Sequence, residues 1–188
     1  DKRGKHIDPE KLKLMLDNNE KIILLDARDE HEHKVGKFKD AITLPINNFR
    51  EFSDTAKNLE PYKKEKIVMY CTGGIRCEKS SAFLKQNGFD KVYQLKGGII
   101  DFINKFPNTY FEGSCFVFDD RLTASSGKPI AACIHCGKKS DSYLNCHNLD
   151  CDELFVSCDE CSRKHNYCCS VECKISPRQR KEIAVVAR

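Results

Sequence analysis

The sequence predicts an α/β domain with a central parallel sheet flanked by helices, followed by a small cysteine-rich module stabilised by metal. Two observations carry this. Short apolar runs alternate with helical periodicity through the first half of the chain. Nine of the twelve cysteines then fall between Cys133 and Cys173. The expected divisions are an α/β domain over 1–110, a connector over 111–130, the cysteine-rich module over 131–174 and a basic tail over 175–188.

In order along the chain, DPEKLKLMLDN (8–18) sets Leu12, Met15 and Leu16 at helical spacing, with Asp8 as N-cap and Pro9 in the first turn. KIILLDAR (21–28) is a continuous apolar run ending in polar residues, as in a buried parallel strand that delivers side chains to the carboxyl edge of its sheet. KIVMYC (66–71) is a second such strand and leads directly into TGGIR. A helix carrying Ala82, Phe83 and Leu84 follows and ends near Asn87 and Gly88, a left-handed cap. KVYQL (91–95) is a further strand, after which Gly97 and Gly98 turn the chain into a short helix, IIDFINKF (99–106). That helix is expected to pack Ile100, Ile103 and Phe106 onto the sheet.

Composition sets the outer limits. At 188 residues and 40% hydrophobic, the chain can bury one real core and still supply a smaller unit. No run reaches the roughly 18 apolar residues of a membrane-spanning helix, and DKRGKHIDPEKL lacks the apolar core of a signal peptide. The expectation is a soluble, cytoplasmic protein without a membrane partner. The chain does not begin with methionine, which suggests that something upstream was removed or never included. Of the formal charge of +4, all sits in KISPRQRKEIAVVAR (174–188), which has five basic residues and one acidic. Such a tail can meet a phosphate backbone or be a solvated end.

The chemistry is expected at Cys71, where a strand meets a helix. A thiol is a nucleophile only as thiolate, and successive backbone N–H groups at a helix N-terminus favour that charge. In Thr72, Gly73, Gly74 and Ile75 the glycines allow close backbone approach, and Arg76 adds a permanent cation. The spacing is Cys-x4-Arg. Cysteine phosphatases use one residue more, to fit a phosphate; the tighter loop suits a single extra sulfur, a persulfide on Cys71. Cys77 faces Cys71 as a resolving thiol or fills space between helix and sheet. Cys115, among Phe111, Phe116 and Phe118, is read as apolar packing.

These residues resemble the rhodanese family. DARDEHEHKVGKFKDAI (26–42) has Asp26, Arg28, Glu32 and Gly36 where that family has them, CTGGIR resembles its active-site loop and LKGGI (95–99) its late glycine turn. Phe38 and Asp40 depart from the usual pattern there, where a histidine-isoleucine pair begins and where glycine is usual. With FEGSCFVFDDRLT (111–123) and the cysteine-rich end beginning CIHCG (133–137), the whole chain is similar to the rhodanese-domain tRNA uridine hydroxylases. That resemblance implies formation of 5-hydroxyuridine at the tRNA wobble position with molecular oxygen, an essential role for Cys71, and an additional N-terminal domain of ferredoxin-like type. Arg28, Cys77, Lys79 and Arg121 are candidates for the rim of the site.

In the second module, Cys133 with Cys136, Cys146 with Cys151, Cys158 with Cys161, and Cys168 or Cys169 with Cys173 make four ligand pairs. Cys168 is the expected member of the last. Eight thiolates fill two tetrahedral structural zinc sites, either in order or with the first and third pairs sharing one ion. The module has few large apolar residues besides Leu144, Leu149, Leu154, Phe155 and Val156, so it depends on metal to fold. A disulfide framework is the alternative, disfavoured without a secretion signal. His135, His147 and His165 are read as surface or supporting groups, and His6, His31 and His33 as solvated. Three functions compete: tRNA hydroxylase, sulfurtransferase passing sulfane sulfur through Cys71, and a non-enzymatic zinc-stabilised adaptor for RNA or protein.

Overall fold

The structure, a computed structural model, describes residues 3–119, 122–125 and 127–180. The elements run β1 (Lys5–Ile7), α1 (Pro9–Asp17), β2 (Ile23–Asp26), α2 (Glu30–Val35), β3 (Gly36–Phe38), β4 (Ile42–Thr43), α3 (Phe52–Thr55), β5 (Ile67–Tyr70), α4 (Ile75–Gln86), β6 (Val92–Leu95) and α5 (Gly98–Lys105). Then come β7 (Phe111–Phe116), β8 (Thr123–Ser125), β9 (Tyr143–Asn145), β10 (Leu154–Val156), α6 (Asp159–Lys164) and α7 (Val171–Lys174).

Five strands form a parallel sheet in the order β1-β6-β5-β2-β4. The continuous apolar runs follow from burial on both faces. Ile67 and Met69 of β5 pack with Leu25, Phe52 and Leu84 on one side. Val68 and Tyr70 pack with Leu12, Leu24, Ile99 and Phe102 on the other. The chain reverses its direction across the sheet between β2 and β5, the place where open α/β sheets form a crevice at their carboxyl ends. Cys71 follows β5 at that point.

Several local expectations are corrected by packing. Asp8 occupies the N-cap of α1 without a side-chain cap bond. On α5, Ile99 and Phe102 are the fully buried residues while Ile100 points outward; Ile103 and Phe106 pack at the edge of that core. The helix starts a residue earlier, at Gly98, which sets its face. His31 and His33 are half-buried on α2, and burial lowers the basicity of His33. His6 is exposed and meets Glu78 at 2.8 Å.

The stretch expected as a connector is largely strand. β7 pairs antiparallel with β3 and with β8. Gly36 and Gly113 pass so closely that a Cβ on Gly113 would lie 2.1 Å from the Val35 carbonyl oxygen, and Gly113 has φ +80°. The cysteine-rich unit docks on this strand and on α2. Val35, Phe116, Ala131, Tyr143 and Val156 share one apolar cluster, and the Tyr143 hydroxyl donates to the His31 carbonyl at 2.8 Å. Its own β9 and β10 form a two-stranded antiparallel ribbon. Among the described residues no helix is long and apolar enough to cross a membrane.

Candidate active site

The loop from Cys71 to Arg76 is held in shape from three sides. Behind it stands the N-terminus of α5, whose first amides have no partner within the helix: Ile99 N–H donates to the Cys71 carbonyl at 3.0 Å and Ile100 N–H to the Thr72 carbonyl at 3.2 Å. With the loop carbonyls turned that way, amides are left to face the sulfur. Gly74 N–H lies 3.1 Å from Cys71 Sγ. Gly74 has φ +92° and caps α4, so its glycine is conformational. Gly98 is steric as well: with φ +65°, a Cβ there would sit 2.5 Å from the carbonyl oxygens of both Cys71 and Thr72. Gly73 differs from the expectation of crowding, because a Cβ on it would meet nothing within 4 Å. Its surroundings are open.

On the α2 side stands Glu32, completely buried. Its Oε1 accepts from Arg76 Nη2 at 2.7 Å and from the Thr72 hydroxyl at 3.0 Å, and its Oε2 accepts from Arg76 Nη1. Oε2 also accepts the Asp29 backbone N–H at 3.1 Å, closing the capping box of α2. Burial works against the Glu32 charge, but the two arginines and these donors keep its carboxyl below the usual range. Arg76 is therefore fixed as part of the loop frame by a bidentate pair.

Beneath the sulfur is Cys77, fully buried at the start of α4. The Cys77 thiol is the largest influence holding Cys71 down to about 6, helped by the Cys77 and Arg76 amides and the Arg76 charge, against burial. The neighbouring Cys71 and burial push the Cys77 thiol well above the usual range. Cys77 is thus under the site and not on its rim.

Arg28, expected at the rim, is fully buried. Its Nη2 donates to Asp26 Oδ2 at 2.7 Å and to the Gly36 carbonyl at 2.6 Å, and its Nε to Asp26 Oδ1 at 2.9 Å. Burial disfavours the charge; the Asp26 carboxylate more than offsets it. Arg28 ties β2 to the α2–β3 turn. Lys79 is exposed on α4, and Arg121 lies outside the described residues. Cys115 is buried, and burial pushes its thiol up to about 11, as suits apolar packing. A cavity of about 230 Å³ opens beside the loop, lined by Gly73, Gly74, Ile75, Glu78 and the β6–α5 turn. Glu32 is the residue that motif reading left without a role, and Gly98, read as a turn residue, also leaves room for the loop carbonyls. The signal for Glu32 is the Asp29-x-x-Glu32 capping pattern; nothing in sequence shows that Glu32 also grips Arg76 across 44 residues.

The cysteine-rich unit brings its thiols into two clusters, Cys133, Cys136, Cys158 and Cys161, and Cys146, Cys151, Cys169 and Cys173, each with all sulfurs within 4.8 Å of one another. Pairs one and three meet, as do two and four. Four thiolates at metal distance from one tetrahedral ion stand about 3.8 Å apart. Cys136 and Cys158 are at 3.8 Å, and Cys169 lies 3.7 Å from both Cys151 and Cys173. The donor sets fit metal ions. Cys169 replaces Cys168: the Cys168 thiol turns away to the Asn166 carbonyl and Gln179, at 3.4 Å each, while Cys169 N–H reaches back to Cys146 Sγ at 3.5 Å. Adjacent residues on a bend point to opposite sides, so only one can join. Neither cluster contains a histidine; His135 and His165 stack on each other at 3.9 Å.

A cysteine at the mouth of a parallel sheet, in a six-residue loop that ends at an arginine, is the arrangement of a rhodanese-like domain. The chain belongs to the rhodanese-like family: the profile described as Rhodanese-like domain matches residues 8–105, and one described as Rhodanase C-terminal matches 112–174. It is 44% identical over 181 residues to the tRNA uridine(34) hydroxylase of Cytophaga hutchinsonii, covering 94% of this chain and 58% of that one. It is also 44% identical over 184 residues to that of Protochlamydia amoebophila, with the same coverage. The chain thus spans little more than half the length of these relatives.

Proposed function

We propose that this chain is the catalytic portion of a tRNA hydroxylase that converts the wobble uridine to 5-hydroxyuridine, with molecular oxygen as co-substrate and the cytoplasm as its place of action. The observation that carries this is the extent of the 44% identity, which runs over 94% of the chain and so takes in the loop and the cysteine-rich unit together. A plain sulfurtransferase would account for the first unit alone.

In this reading Cys71 supplies the reactive sulfur as a thiolate. The amides of the loop and the Cys77 thiol hold its charge, and Arg76, fixed by Glu32, keeps the loop closed. The two cysteine clusters would hold structural zinc, Cys133, Cys136, Cys158 and Cys161 one ion and Cys146, Cys151, Cys169 and Cys173 the other. Zinc bound there would supply folding free energy to the second unit, which presents tRNA to the first. We place the domain limits at residues 110, 130 and 174, with the middle stretch pairing back onto β3 through β7.

The test is nucleoside mass spectrometry of tRNA from cells lacking the full-length protein, complemented with wild type or Cys71→Ala. Wild type is expected to restore 5-hydroxyuridine and Cys71→Ala to leave it absent. Restoration by Cys71→Ala would overturn the role of the thiolate, and an unchanged nucleoside in the deletion would overturn the hydroxylase reading.

A further inference from the structure

The site contains an aromatic ring that neither the sulfur nor the loop frame uses. Phe118 follows the end of β7 and is 70% exposed, although Phe116, two residues earlier, is buried in the cluster that joins the two units. Scattered exposed apolar residues are ordinary; the placement of this one is not. The Arg76 guanidinium carbon lies 5.6 Å from the centre of the Phe118 ring, and Phe116 meets the ring edge-on at 5.3 Å. Both supports are themselves fixed, Arg76 by Glu32 and Phe116 by the core. The ring is therefore held at a set place beside the Cys71 loop. Ile75, on the first turn of α4, is 83% exposed and lines the cavity beside the loop.

We propose that Phe118 is a stacking platform for one unpaired nucleobase brought to Cys71. This rests on the tRNA hydroxylase reading and names what it lacks, a group that takes the flat face of the substrate base. A single flat ring backed by a guanidinium suits a planar π-system. A protein partner would instead call for a contiguous apolar patch, and two separate side chains do not make one. An aromatic face tolerates any base, so the ring positions the base and leaves its identity to other contacts.

The experiment uses the full-length protein with an anticodon stem-loop RNA bearing uridine at the wobble position, and the same RNA with that base removed. Phe118→Leu, which keeps apolar bulk but not the flat face, is expected to raise KM about tenfold or more, with Phe118→Trp close to wild type. The pH dependence of Cys71 alkylation is expected to be the same in all three, which a merely structural loss would not leave intact. Phe118→Trp also adds a reporter, read as the difference between its emission and that of wild type, which the stem-loop is expected to quench and the abasic RNA is not. If Phe118→Leu hydroxylates the stem-loop with unchanged KM, the platform is overturned while the hydroxylase reading stands. If wild type does not hydroxylate the stem-loop but Phe118→Trp is still quenched by it alone, the activity is overturned and the platform stands. Neither turnover nor quenching overturns both.

Discussion

The two units of this chain solve the problem of stability by different means. The parallel-sheet unit buries continuous apolar strands on both faces, with Leu25, Ile67, Met69, Leu12, Val68 and Phe102 almost fully enclosed. The cysteine-rich unit has two three-residue strands, two short helices and a modest apolar cluster around Phe155, and its buried centre is made of thiols. One core is held by area removed from water. The other, under the proposed metal binding, depends on ions that let the thiols sit 3.7 to 3.8 Å apart without repelling as thiolates. The lesson is that the sheet unit can carry a charged site because its stability lies elsewhere, whereas the second unit has no such reserve.

Metal removal should break the comparison most visibly. Structural zinc contributes on the order of 10–16 kcal/mol in small domains, more than the second unit can replace. Stripping the full-length protein with a strong chelator is expected to abolish amide protection across residues 133–180 and to leave β2, β5 and β6 protected in hydrogen exchange. Protection of both units after the loss of metal has been verified would show that the apolar cluster, not the ion, holds the second unit. Half of that effect is expected from Cys169→Ser, which removes one ligand set: bound metal should fall from two ions per chain to one. Cys168→Ser should leave the count at two. The reverse result would reassign the ligand.

The alternating strands of the first unit were legible because burial on both faces writes itself as unbroken apolar runs, and KIVMYC followed by TGGIR located the nucleophile. What escaped was set by contacts between distant residues. Nothing local in FEGSCF announces that its strand will pair with Gly36–Phe38. Arg28 reads as a candidate for the rim of the site until it is seen buried against Asp26, and Glu32 reads only as a position shared with the rhodanese family until it is found gripping Arg76. The thiol pairs were countable, but Cys168 and Cys169 differ only in the direction of a bend, which spacing does not encode.

Within the sheet unit the expected effects are smaller and local. Glu32→Ala leaves Arg76 and Thr72 without their shared acceptor in a buried setting, and breaking a buried pair in this way costs about 3–5 kcal/mol. Thermal or denaturant unfolding of the first unit should register that loss, and metal content should not change. A cost under about 1 kcal/mol would mean that water replaces the carboxylate and the site is wetter than its burial implies.

The finest distinction concerns the charge on Cys71. With its pKa near 6, against about 8.5 for a free cysteine, the alkylation rate by iodoacetamide should rise with pH to a plateau, with a midpoint near 6. Because the folded value is depressed, the stabilisation tied to the thiolate is complete above the unfolded cysteine's pKa and is lost as pH falls through about 6. Cys77→Ala removes the donor beneath the sulfur and should move the midpoint up by about one pH unit or more, since a hydrogen bond to a charged group is worth roughly 1.5–3 kcal/mol. Cys77→Ser, which keeps a donor of shorter reach, should fall between. An unmoved midpoint in both variants would assign the low value to the loop amides and Arg76 alone. The first unit would then be anchoring its thiolate with backbone groups and a fixed arginine, where the second is proposed to anchor its sulfurs with metal.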